Sequence, residues 1–438
     1  MKKTIFLVLF ISINGHATDL INLYERAKQH NIDVLNNQID VSIANESLKQ
    51  TRSTVFPEIN FSAQTSETTI ERYKSLGSYD PSNYNRDIYN LSIKQPLLHL
   101  YVFDEIKKAR SSLEQNEITK DNTDSLLILE SVRYYFNLIK FKNALALSEI
   151  GNDYQRSKYR VSTKLYENGS ISVEEYETLK NDYESSKNDL NISKNNLTQI
   201  KNDVYIFSGK ELNDINDIKL VTIKHKNLVL DDLINSAYTN NNTIRMSKQG
   251  MSINRNEIAA QKSRHYPTID LVVEYDYLDI TQGGSQFGAT TREDSTISLV
   301  LNFPIFNGGY QSSKIEEARL NYQKARLDHT NSRRLIRKEI IDNYNIYNTS
   351  KGLYSTSLQI LKTYQKKYEN AQEGYEKGIY TNTQMLDAKL EYSRALFNAK
   401  SIMMDYLYSE LTLDHLQNNL NVVSLRSCLL YTSRAHET

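Results

Sequence analysis

The stretch YEKGIYTNTQMLDAKLEYSRALFNAKSIMMDY, residues 375–406, decides how this chain is read. Within it Met385, Ala388, Tyr392, Ala395, Ala399, Ile402 and Tyr406 follow a 3-4-3-4-3-4 spacing, which keeps one seam of a helix facing a partner helix. The same design begins at residue 166, an offset of 209, as YENGSISVEEYETLKNDYESSKNDLNISKNNL. There Tyr176, Leu179, Tyr183, Ser186, Leu190, Ser193 and Leu197 form the seam. Gly169 and Gly378 each suit a helix end that needs a left-handed residue. Ser172-x-x-Glu175 and Thr381-x-x-Gln384 read as capping boxes that start the next helix. Each copy is expected to be a helix, a tight turn and a second helix.

A repeat of this length favours two equivalent halves of one architecture over several unrelated domains. Lys plus Arg and Asp plus Glu number 53 each, and no basic block stands out, so a nucleic-acid partner is not expected. Tyrosine, at 31 residues with no tryptophan, suits wet, partly polar helix seams better than one dry core. The sole cysteine, Cys428, rules out a disulfide framework or a thiolate metal cluster. The histidines are scattered without His-x-x-x-His spacing, and Gly283-Gly284 and Gly308-Gly309 sit in loops rather than in a phosphate-cradling motif. Acid pairs such as Glu174-Glu175 and Glu316-Glu317 lie on charge-rich helices, where a solvated face explains them. No catalytic residue, cofactor or metal site is therefore expected, and the chain is not read as an enzyme.

Lys2 and Lys3, an apolar run from Ile5 to Ile13 and the small residues around Ala17 mark residues 1–17 as a signal peptide, with the mature chain starting at Thr18. The apolar run is too short for the ~20 residues that span a bilayer. Residues 18–208 are read as the first repeat, 209–229 as a connecting segment and 230–423 as the second repeat. Residues 424–438 break the heptad and the local composition and are read as a tail of non-native character, outside the fold.

Within each repeat a helical region comes first, residues 19–52 and 230–264, and stops at Phe56-Pro57 or Tyr266-Pro267. The period then changes to two. Ile269, Leu271, Val273, Tyr275 and Tyr277 alternate with mostly polar neighbours, and Ile59, Phe61 and Ala63 do so more weakly. Polar loops are expected over residues 74–86 and 280–294, followed by second strands around residues 88–93 and 297–303. Strands with one apolar and one polar face match transmembrane barrels, but the smallest barrels need about eight strands. Four per chain would require several chains. Next come long helical stretches, residues 105–166 and 312–375, each on the order of 90 Å if continuous.

Taken together, the duplicated Phe56-Pro57 and Tyr266-Pro267 strand starts, the Gln95-Pro96-Leu97 and Phe303-Pro304-Ile305-Phe306-Asn307-Gly308-Gly309 strand ends, and the Tyr-Glu-x-Gly turns resemble the TolC family of outer-membrane export channels. The resemblance runs from about residue 19 to 420. It implies an α+β membrane protein: a long α-helical coiled-coil barrel joined to a four-strand contribution to a trimeric 12-stranded transmembrane β-barrel, built from two structural repeats. It implies a homotrimer in the outer membrane with a periplasmic helical tunnel, working with a periplasmic adaptor (membrane fusion) protein and an inner-membrane transporter in efflux or type I secretion. It further implies a periplasmic gate, whose closing contacts map onto Glu175, Tyr375 and Tyr380 and whose acidic ring maps onto Gln384 and Asp387. Tyr380 stands where many members have arginine, and Gln384 where aspartate is common. The competing expectation is a secreted or periplasmic coiled-coil structural or adaptor protein.

Overall fold

The computed structural model describes residues 15–69, 83–212, 217–221, 223, 226–281 and 289–425, with side chains from Leu20 onward. The first half contains α1 (Gly15–His30), α2 (Ile32–Ser53), β1 (Glu58–Thr68), β2 (Tyr84–Leu98), α3 (Leu100–Glu167) and α4 (Val173–Ser208). The second half repeats that order as α5 (Leu230–Asn240), α6 (Asn242–Ser263), β3 (Thr268–Thr281), β4 (Thr290–Asn302), α7 (Tyr310–Glu376) and α8 (Asn382–Leu416). Residues 1–14 of the expected leader and residues 426–438 of the expected tail, Cys428 included, lie outside the described residues. So do residues 70–82 and 282–288 of the two expected loops.

Each helical region before a strand is two helices rather than the one expected. The breaks fall at Asn31 and Asn241, again one repeat apart. Asn31 Oδ1 accepts from the backbone N–H groups of Asp33 and Val34 at 3.0 and 3.2 Å. Asn241 Oδ1 does the same for Ile244 at 3.2 Å. A side-chain amide that satisfies the free donors of a new helix makes an interruption inexpensive even where apolar periodicity runs on.

The strands form one antiparallel sheet in the order β1-β2-β3-β4. Its register gathers Ile59, Ile93, Val273 and Ile297 into one cross-strand row and Phe61, Leu91 and Tyr275 into the next, so one face is apolar. The opposite face carries Ser62, Asn90, Asp276 and Asp294 in a single row, with Asn90 Nδ2 donating to Asp276 Oδ1 at 2.7 Å. Pairing extends beyond the expected strands. Arg86 pairs with Ile280, and Glu293 and Asp294 continue the β4 ladder, so the loops are shorter than composition implied. The ladder is made by backbone groups, so polar side chains do not interrupt it. At the base of the sheet the buried carboxylate of Asp270 is held by His99 at 3.0 Å and Lys94 at 3.5 Å.

The chain divides into two compact units. One, residues 39–117 and 246–331, holds the sheet and the helix segments next to it. There α3 and α6 run antiparallel, joined by Lys108–Glu257 at 2.7 Å, Ser111–Ser252 at 3.1 Å and Ser263–Asp104 at 2.8 Å. The other unit contains the main apolar cluster, in which Leu20, Val132, Tyr135, Ile340, Met403 and Leu413 are fully covered.

The connecting segment, whose role was open at the level of sequence, packs Ile218 and Ile223 into that cluster. Three tyrosines of α7 pin its backbone. Tyr354 donates to the Val221 carbonyl at 2.7 Å, Tyr347 to Lys226 at 3.0 Å and Tyr344 to Leu228 at 3.3 Å. Leu425, placed by sequence in the tail, is fully buried in the same cluster, which moves the boundary of the folded chain past it.

Candidate gating site

The two helical hairpins end in matching turns. Gly169 and Gly378 have φ of +70° and +72°, and Ser170 and Ile379 N–H groups reach back to Leu165 and Gly374 carbonyls at 2.8 Å each. This is the left-handed helix stop that the sequence predicts. The caps beyond the turns differ. Thr381 and Gln384 form the full reciprocal box, with Thr381 N–H donating to Gln384 Oε1 at 2.8 Å and Gln384 N–H to Thr381 Oγ1 at 3.3 Å. At the first hairpin Ser172 caps Glu175 N–H at 3.2 Å, but the carboxylate of Glu175 does not return to the Ser172 backbone. The expected capping box there is half made, which leaves the Glu175 carboxylate exposed and uncommitted.

Both predicted seams face their own hairpin partners. On α4, Tyr176 and Tyr183 meet Tyr159 of α3. The Tyr159 and Tyr183 rings stack at 5.5 Å, the Tyr159 and Tyr176 hydroxyls lie 3.2 Å apart, and Tyr166 stacks on Tyr176 at 4.7 Å. Further along, Ser186 bonds Asn152 at 3.1 Å and Ser193 bonds Ser148 at 2.7 Å. On α8, Tyr392 stacks on Tyr368 of α7 at 5.6 Å, and Lys367 pairs with Glu391.

A second face of α3 ties the two hairpins to each other. Ser157 Oγ lies 2.9 Å from Thr383 Oγ1 and accepts from Asn382 Nδ2 at 3.3 Å. One turn back, the Tyr154 hydroxyl lies beside the Asp387 carboxylate, which acts on its ionisation. A Cβ at Gly151 would rest on Leu390 at an ordinary 3.8 Å, so this position too lies against α8. Burial raises the Tyr154 hydroxyl pKa first, and the adjacent Asp387 charge raises it further. The phenol stays protonated and remains a donor. Sequence reasoning missed Tyr154, Ser157, Asn382 and Thr383, because a buried face does not say which helix it meets.

The residues that the resemblance singled out are arranged unevenly. Gln384 is committed to its cap. The Tyr380 ring folds back over its own turn, so close to Gly374 that any side chain there would overlap it. Tyr375 and Tyr380 are each 43% exposed. Asp387 is half-buried and engaged by Tyr154. Among the described residues of one chain, no hydrogen bond or ion pair joins Glu175 to Tyr375 or Tyr380. Near their turns the hairpins of a single chain are thus joined by hydroxyl and amide contacts and by Asp387, and farther along α3 and α8 by Lys140–Asp405 at 2.7 Å and Ser125–His415 at 2.7 Å.

Comparison with known proteins places this geometry. The family model described as outer membrane efflux protein matches residues 23–210 and 233–418, one match for each repeat. The outer membrane protein TolC of Escherichia coli (strain K12) is 20% identical over 443 residues, covering 97% of this chain and 86% of that protein. The proteases secretion protein PrtF of Dickeya chrysanthemi is 17% identical, covering 96% of this chain and 93% of PrtF. Among solved structures, the CmeC outer membrane channel of Campylobacter jejuni superposes with a TM-score of 0.72 at 16% identity, covering 96% of this chain and 91% of CmeC.

Proposed function

Because the chain belongs to the outer membrane efflux protein family and is an exit channel of the outer membrane with a periplasmic helical tunnel, we propose that it works as a homotrimer. The observation that carries this reading is the open sheet. Four strands leave the outer edges of β1 and β4 without partners, and unpaired edges of 11 and 13 residues are not left bare in a stable protein. Within a bilayer only a closed barrel satisfies every backbone group. Three copies give 12 strands, with the apolar rows of the sheet turned to lipid and the polar rows lining the bore.

Exposed apolar stripes on the helices next to those edges support the same closure. Ile32, Leu35, Ile39 and Ile43 form a heptad-like stripe on α2, which leads into β1. Leu320 and Leu327, one heptad apart, are exposed on α7, which follows β4. Apposing these stripes between neighbouring copies buries both.

The channel is gated at the periplasmic hairpins. In this reading the α3–α8 contacts through Tyr154, Ser157, Thr383 and Asp387 hold the second hairpin in its closed position. Glu175, Tyr375, Tyr380, Gln384 and Asp387 mark the closing end, with Asp387 supplying one carboxylate per subunit to the constriction. A periplasmic adaptor protein and an inner-membrane transporter complete the export path from the cell to the exterior.

Cross-linking in native envelopes tests the assembly. A three-chain species is expected, and Ile39→Asp combined with Ile43→Asp should abolish it. A monodisperse, water-soluble monomer obtained without detergent would refute the reading.

A further inference from the structure

In the unit that carries the sheet, the end of α6 and the start of α7 line an open cavity of about 330 Å³. That volume lies within the range of small-ligand sites. Its walls are Glu257, Gln261 and Arg264 on one side and Tyr310, Gln311, Lys314 and Glu317 on the other. Gln311 fixes the floor by donating to the carbonyl of Gln261 at 2.6 Å and to its side-chain oxygen at 3.0 Å.

The charges of the cavity pair off. Lys314 meets Glu317 at 2.8 Å, Arg264 meets Glu105 at 3.3 Å, and Lys108 meets Glu257 at 2.7 Å. The lining itself carries two cations, Arg264 and Lys314, and two carboxylates, Glu257 and Glu317, with Glu105 and Lys108 as partners behind the wall. Burial acts to raise the Glu257 pKa, but hydrogen bonds from Lys108 and Gln261 hold it below the ordinary carboxylate value, so both signs persist at neutral pH. Each pair leaves capacity unused. The guanidinium of Arg264 and the ammonium of Lys314 keep free donors that suit a phosphate, and Glu317 keeps acceptor positions that suit an ammonium. A neutral cavity offering both signs selects a zwitterion over a simple anion or cation.

Beside this polar cavity lies an apolar apron. Ile305 and Phe306, just ahead of Tyr310, are 87% and 86% exposed, and Phe303 and Tyr266 are exposed at the adjoining ends of β4 and β3. Exposed aromatic residues where strands leave the hydrocarbon are typical of the membrane interface.

We propose that the cavity binds the phosphoethanolamine headgroup of a phospholipid from the periplasm-facing leaflet, with the acyl chains lying over Phe303, Ile305 and Phe306. The inference rests on the outer-membrane barrel reading above. Ethanolamine fits because its primary ammonium donates hydrogen bonds to Glu317. A choline headgroup donates none and calls for an aromatic cage, whereas Tyr310 is the one ring lining the cavity. An anionic glycerol headgroup gains no net attraction from balanced charges.

The test is native mass spectrometry of the detergent-purified, full-length protein equilibrated with equal amounts of phosphatidylethanolamine, phosphatidylcholine and phosphatidylglycerol. Preferential retention of phosphatidylethanolamine is expected. Lys314→Gln and Glu317→Gln, both on exposed side chains, should each weaken retention about tenfold through loss of a charge-assisted contact. Glycerophosphoethanolamine, which lacks acyl chains, should compete poorly. Equal retention of the three lipids, retention unchanged in both variants, or full displacement by the chain-free headgroup would each overturn the proposal. The subunit count on the same spectra keeps the two readings apart. Trimers without selective lipid overturn this inference alone, while monomers that retain phosphatidylethanolamine selectively support the site and overturn the assembly.

Discussion

Tyr154→Phe should open the closed channel without changing which ions it prefers. The substitution keeps the Tyr154 ring and removes only the hydroxyl that lies beside Asp387. A fully formed, shielded hydrogen bond to a charged group contributes about 1.5–3 kcal/mol, and the looser, half-exposed hydroxyl–carboxylate contact here is taken as roughly 1 kcal/mol per chain. That is about a fivefold shift toward opening for each hairpin, and on the order of a hundredfold if three hairpins open together. The neighbouring Ser157–Thr383 and Asn382–Ser157 contacts remain, so closure weakens rather than disappears.

Single-channel recording in planar bilayers separates this effect from a change in charge. Tyr154→Phe should raise the open fraction and leave cation preference intact, because the carboxylate stays. Asp387→Asn should raise the open fraction and also lower cation preference and weaken block by multivalent cations, since a charged ring in a narrow bore dominates local selectivity. With Asp387→Asn already in place, adding Tyr154→Phe should contribute less than it does alone, as expected for two partners of one contact. An unchanged open fraction in Tyr154→Phe, or full additivity of the two substitutions, would refute the latch.

Other parts of the molecule make independent predictions. Gly374→Ala should dislodge Tyr380, since the added methyl overlaps its ring, and should raise the open fraction; adding Tyr380→Ala should relieve the strain at the turn, read as recovered thermal stability. His415, bonded at Nδ1 to Ser125 Oγ at 2.7 Å, has its pKa lowered by burial from 6.5 to about 4. The unfolded chain therefore takes up this proton first. The stability held above about pH 6.5 should fall by on the order of 3 kcal/mol as pH drops to about 4. Thermal denaturation across that window should show a weaker pH slope for His415→Gln. Ending the chain after Leu425 should preserve stability, whereas ending it after Val423 strips a buried leucine and should cost about 1.5–3 kcal/mol, read by denaturant titration.

What the sequence disclosed and what it hid divide along the range of the interactions. The turns at Gly169 and Gly378, the seams of α4 and α8 and the proline-marked strand starts depend on residues a few positions apart, and all are legible as spacing. The breaks at Asn31 and Asn241 are also local, but their signal is one side-chain amide within an otherwise continuous helical pattern. The pinning of Val221, Lys226 and Leu228 by Tyr354, Tyr347 and Tyr344 leaves no periodic trace, because hydroxyls of one helix meet backbone carbonyls more than a hundred positions away.

The contacts between α3 and α8 show why a heptad could not reveal them. The face of α3 turned to α4 carries Ser148, Asn152 and Tyr159, and the face turned to α8 carries Gly151, Tyr154 and Ser157. At about 100° per residue the centres of these stripes are roughly 140° apart and meet only where Gly151 adjoins Ser148, so together they spread over more than half of the helix surface and no single seam marks either. Gln155 lies three or four positions from both Asn152 and Gly151, at the border of the stripes. Its Oε1 is the one buried side-chain oxygen or nitrogen among the described residues without a hydrogen-bond partner. An unmet acceptor costs about 1–3 kcal/mol, which penalises the packed arrangement at the helix that the latch must release. Gln155→Met fills nearly the same volume without an acceptor. It should stabilise the closed hairpins, lower the open fraction in bilayer recordings and raise the denaturation temperature. A higher open fraction in that variant would show that Gln155 supports closure, and that its oxygen is satisfied in the assembled channel.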